Sequence, residues 1–134
     1  FLFPKLEGLV VVVWGLTYKS DTDTLRRSLA VELCNWLMKQ GAKVRIHDPV
    51  VKKIPTDWTN RVQRFDDALD ALKGADALVI ATEHSEYKKI PARRVSKISP
   101  ALVVIDPNRF LSNFANSSDL HYIAVGSPAI GRLT

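Results

Sequence analysis

The run Leu9-Val10-Val11-Val12-Val13-Trp14, stopped by Gly15, constrains this chain more than any other feature. Its β-branched and aromatic side chains favour extended backbone. Polar and apolar positions do not alternate along it. A strand without alternation has both faces covered, the condition of a strand inside a parallel sheet. No apolar run is longer, and this one falls far short of the roughly 20 residues that cross a bilayer. No membrane partner is expected. The 134 residues, 46% hydrophobic and 25% charged, suffice for one compact core of ordinary composition.

Further elements follow in the order strand, helix, strand. Residues 16–27 are polar, with several Thr and Asp, and form a loop, after which Ser28 is a candidate N-cap. Leu29, Leu33 and Leu37, flanked by Ala30, Cys34 and Met38, make one apolar helical stripe, and Gly41 is its expected stop. Lys43–His47 is a second strand, closed by Asp48-Pro49. Residues 50–60 are loop, and Asp66–Lys73 is expected to be a helix ending at Gly74. Ala77–Ala81 is a third strand. Residues 83–99 are polar and partly helical, interrupted at Pro91. Leu102–Ile105 is a fourth strand closed by Asp106-Pro107, and His121–Val125 a fifth. Strands alternating with helices predict an α/β class: a three-layer, Rossmann-like domain with a mainly parallel sheet of about five to six strands. The domain is expected over residues 8–128, with 1–7 a linker or boundary and 129–134 a tail. Ligands of such sheets bind beyond the carboxyl ends of the strands. The loops after Trp14, His47, Ala81 and Ile105 are therefore the ones that matter.

The net charge of +5, from 19 Lys and Arg against 14 Asp and Glu, suits an anionic partner. The aromatics are not interleaved with the basic residues, so the stacking platform of a nucleic-acid binder is missing and no nucleic-acid partner is expected. A single cysteine, Cys34, excludes an internal disulfide and fits a reducing, cytoplasmic location. Its place on the apolar stripe makes it a core residue rather than a nucleophile. His47, His84 and His121 lie far apart, without the spacing of metal ligands.

A dinucleotide site would place Gly-x-Gly-x-x-Gly after the first strand. Here Gly15 is followed by Leu16-Thr17-Tyr18-Lys19, with one glycine only, so a complete NAD site in this chain is not expected. The loop offers side chains instead. Tyr18 has a flat face and a hydroxyl, Lys19 a point charge for phosphate, and Arg26 a bidentate fork. A solvated loop with ordinary surface charges is the plainer reading of the same spacing.

The stretch from Gly15 to Ser28 resembles the Gly-Leu-x-Phe/Tyr-Lys-x-x-Thr-Asp-Asp-x-Arg-Glu-Ser signature. That signature opens the C-terminal domain of the UDP-glucose/GDP-mannose dehydrogenase family. Residues 41–49 are similar to the family's second strand and its Tyr-Asp-Pro end, residues 76–83 to the strand ending in Thr-Glu, and residues 103–109 to the strand ending in Asp-x-Arg-Asn or Asp-x-Arg-Arg. The resemblance covers about residues 7–126.

The resemblance implies NAD-dependent oxidation of a nucleotide-sugar C6 alcohol to a carboxylate. It also implies that NAD is held mainly by an N-terminal domain, and that the catalytic cysteine lies in a central domain of the same polypeptide. By position, Tyr18, Lys19 and Arg109 would contact the nucleotide-sugar substrate, Arg26 would reach NAD, and no catalytic residue would lie here. The sequence departs from the pattern at Thr24, Arg27 and Leu29, at His84 where Trp is frequent, and at Asn108-Arg109, which inverts Arg-Asn. A stand-alone nucleotide- or anion-binding module is the alternative from another functional class.

Overall fold

A computed structural model of the chain describes residues 5–17, 29–58 and 60–124. The elements are β1 (Val10–Trp14), α1 (Leu29–Lys39), β2 (Lys43–His47), β3 (Val62–Arg64), β4 (Ala77–Ile80), α2 (Ala92–Ile98), β5 (Val103–Ile105) and β6 (His121–Ile123). The strands form one sheet in the order β3-β2-β1-β4-β5-β6. Every neighbouring pair is parallel. The order reverses between β1 and β4, which makes that junction the topological switch point.

The register explains the unalternated first strand. Val11, Val13, Val44, Ile46, Ala77 and Val103 face one way and pack on Ala30, Cys34 and Leu37 of α1. Val12, Trp14, Leu78, Ile80 and Val104 face the other way, onto Tyr87, Val95 of α2, Leu72 and Phe114. Both faces of β1 are thus inside, and each such side chain stabilises the fold by about 1.5–3 kcal/mol. Burial pushes the Cys34 thiol up to about 12, so it is an inert core group. Trp14 and Trp58 are core residues, whereas Trp36 stays half-exposed at 51%.

Helix α1 ends as its sequence predicts. Gly41 adopts φ +86. Its N–H reaches Met38 O, and the Ala42 N–H reaches Leu37 O, the paired bonds of a Schellman stop.

Two expectations need correction. The helix predicted over Asp66–Lys73 is only a 3-10 turn at Asp70–Leu72. In an α-helix the Ala68 carbonyl would accept the Leu72 N–H. Here it accepts the Trp14 indole N–H at 3.2 Å, and the Leu72 N–H turns to Leu69 O. The Asp67 carboxylate also takes the Asp70 N–H at 3.0 Å, a local bond that competes with helix. The second correction is β3, a three-residue edge strand absent from the sequence-based assignment. Among the described residues, no helix is long and apolar enough to cross a membrane.

Candidate functional site at the carboxyl edge

The carboxyl ends of β1, β2 and β4 meet in a buried polar cluster of Thr17, His47, Asp48, Thr82 and His84. Asp48 is its hub. Oδ2 accepts the Leu16 N–H at 2.7 Å, the Thr17 N–H at 3.3 Å and the His84 Nε2–H at 3.0 Å. Oδ1 accepts the N–H groups of Val50 at 2.8 Å and Val51 at 2.9 Å. Burial alone would raise the Asp48 carboxyl. The bonds from His84 and from the Val51, Leu16 and Val50 backbones outweigh it and hold the group well below the usual carboxylate range.

From β4, the Thr82 hydroxyl donates to Thr17 O at 2.7 Å. Thr17 Oγ1 also lies 3.3 Å from His84 Nε2. Gly15, at φ +94, lets the two chains approach: a Cβ there would stand 2.4 Å from Thr82 Cβ.

A second set of bonds lies under the first. Tyr87 stacks on Trp14 with centroids 4.7 Å apart. Its hydroxyl donates to His47 O at 3.1 Å and lies 3.1 Å from His47 Nδ1. With the hydroxyl proton on the carbonyl, the ring Nδ1 is the donor. Burial lowers the His47 pKa, against the pull of Glu86 and Asp48, so the ring is neutral near pH 7. Burial, with Asp48 and Glu86 nearby, raises Tyr87 well above the usual phenol range, so it stays protonated.

At the end of β5, Asp106 repeats the device. It is buried, and its carboxylate accepts the Phe110 N–H at 3.0 Å, the Leu111 N–H at 2.7 Å and the Tyr122 hydroxyl at 2.7 Å. The turn it closes holds Arg109 at φ +57, a left-handed conformation that side-chain-bearing residues avoid. Lys88, beyond β4, lies 4.8 Å from the Phe110 ring centroid, so the β4 and β5 loops are packed together.

Of the residues singled out in the sequence, Arg109 lies at this carboxyl edge and is exposed. Tyr18 and Lys19, directly after Thr17 in the chain, and Arg26 further on lie outside the described residues. Sequence reasoning passed over Asp48, Thr82, His84 and Asp106 as site-building residues. The repeated Asp-Pro at two strand ends, 48–49 and 106–107, was the available signal.

Gly15 packs on Thr82, and the chain beyond Thr17, where a pyrophosphate would lie in a dinucleotide site, is outside the described residues. Among them, no three His, Cys, Asp or Glu side chains gather to hold a metal ion. A recess of about 410 Å³ does exist, lined by Val10, Lys43, Arg45, Arg61 and Gln63. It lies at the amino ends of the strands, the edge that ligands of parallel α/β sheets do not use.

Sheet order, parallel pairing and the polar carboxyl edge define a doubly wound, Rossmann-like α/β domain. Residues 12–113 match the UDP-glucose/GDP-mannose dehydrogenase family, UDP binding domain, and the chain belongs to that family. It is 31% identical to the UDP-glucose 6-dehydrogenase of Rickettsia prowazekii (strain Madrid E), over 91% of this chain and 29% of that protein. Among solved structures, the NDP-N-acetyl-D-galactosaminuronic acid dehydrogenase of Methanosarcina mazei Go1 superposes with a TM-score of 0.79 at 26% identity, over 93% of this chain and 26% of the other. A UDP-glucose dehydrogenase of Pyrobaculum islandicum gives 0.72 at 28% identity, over 87% and 25%. The chain thus spans less than a third of the length of these relatives.

Proposed function

We propose that this chain is the nucleotide-sugar-binding domain of an NAD-dependent 6-dehydrogenase that oxidises the C6 alcohol of a UDP-sugar to the uronate. Its task is positioning. Tyr18 and Lys19 after β1 and Arg109 after β5 contact the substrate, with Lys19 at the phosphates. Arg26 reaches NAD held on another domain of the same cytoplasmic polypeptide. The domain spans residues 8–128 and is inactive alone, because it carries no reacting group for the oxidation.

The observation that carries this reading is that all six strands are parallel. The loops after Trp14 and Ile105 therefore leave the same edge of the sheet, with only β4 between their strands. A diphosphate tether can then be gripped from two sides, which fixes the sugar relative to chemistry supplied elsewhere. The family match adds the substrate class.

Calorimetric titration of the chain with UDP, UDP-glucose and GDP tests the proposal. Binding of a uridine nucleotide is expected, weakened about tenfold by Lys19→Ala through loss of a charge-assisted bond. A chain that binds none of the three is not a nucleotide-sugar domain.

A further inference from the structure

The polar cluster at the switch point raises a question of purpose. Its members come from three strands. Asp48 follows β2, Leu16 and Thr17 follow β1, and Thr82 and His84 follow β4. Because β1 lies between β2 and β4, a bond from His84 to Asp48 passes over the end of β1. The Leu16 and Thr17 amides are captured under it by the same carboxylate oxygen. Thr82 holds the Thr17 carbonyl from the β4 side. The backbone after β1 therefore cannot shift without breaking buried bonds on both flanks. A buried donor or acceptor stranded that way is costly, because no water replaces the lost partner. At 1% exposure His84 is part of the interior, and its ring also packs edge-on against Tyr87 at 5.9 Å. It is the side-chain donor that ties the β4 end to the Asp48 carboxylate.

We infer that His84 is a positioning residue for nucleotide binding, clasping Asp48 across the end of β1 so that Leu16 and Thr17 are held where the next residues of the chain can meet the ligand. The inference rests on the functional reading above. His84 does not itself need to touch nucleotide. It removes freedom from Leu16 and Thr17, so that this stretch of backbone is fixed before binding rather than at the expense of binding.

The test compares His84→Phe, which keeps ring volume and the packing on Tyr87 but removes the N–H, with His84→Gln, whose amide nitrogen restores a donor near the Nε2 position. Two readouts are taken on the whole chain: hydrogen exchange of the Leu16 and Thr17 amides relative to Val12 and Leu78 in the core, and UDP affinity. His84→Phe is expected to raise exchange at Leu16 and Thr17 about tenfold and to weaken UDP about tenfold, with the core amides unchanged and His84→Gln near the parent in both. Unchanged exchange in His84→Phe overturns the clasp. Faster exchange with UDP affinity intact overturns the positioning role, as does a uniform rise across the core amides, which marks a purely structural residue. If the unaltered chain binds no UDP, the functional reading fails by itself, and the clasp is judged on exchange alone.

Discussion

Gly15 sits so tightly against Thr82 that a single added carbon would lie 2.4 Å from Thr82 Cβ and 2.6 Å from its backbone nitrogen. The contact joins the ends of β1 and β4 at the switch point.

Gly15→Ala should therefore be costly for two reasons, an unfavourable φ and a collision with backbone that cannot swing away. We expect a loss of about 3 kcal/mol in urea denaturation. Gly74→Ala is the control. Its φ of +72 is also left-handed, but nothing lies within 4 Å of the added carbon, so backbone strain alone should cost about 1 kcal/mol. Equal losses at the two positions would show that the Thr82 contact has no weight.

The Asp48 carboxyl dictates an acid response. Its folded pKa lies below the ordinary carboxylate value, so the folded state holds the proton more weakly than the unfolded chain does. The stability it contributes is complete above the unfolded value of about 3.9 and is lost as the pH falls from there towards the folded value. Urea midpoints measured from pH 7 to pH 3 should fall more steeply for the parent than for Asp48→Asn, which has nothing to titrate at that position. Parallel curves would mean that Asp48 is not the group that matters.

Arg109 sets stability against binding. Glycine tolerates its φ of +57 without penalty. Arg109→Gly should relieve about 1 kcal/mol of backbone strain, seen as a higher urea midpoint, while UDP affinity falls because a cation is lost. A variant that gains stability and still binds UDP like the parent would remove Arg109 from the substrate contacts.

The legible parts of this fold were those whose signal is local. The β1 run, the α1 stripe with its Gly41 stop, and the β2, β4 and β5 runs all emerge near their expected bounds. The segment around Asp70 did not, because its helical pattern was overruled by a bond from Trp14, 54 residues away in sequence. Nor did β3, whose three residues find a partner on one side only, along β2. At the site, the two Asp-Pro ends were visible as strand terminators, but their work on neighbouring amides was not.

The apolar strand runs, their alternation with helical patterns, the basic residues after β1 and the family signature are properties of neighbouring residues, and the chain carries them in one dimension. Periodicity and motif spacing act over a few residues, so no tertiary contact is needed to see them. The contact of His84 with Asp48 and that of Gly15 with Thr82 depend on how strands cross over, since they join positions 36 and 67 residues apart. Only close packing decides which buried donor meets which acceptor, because each such group is paired by whatever the folded chain brings within about 3 Å.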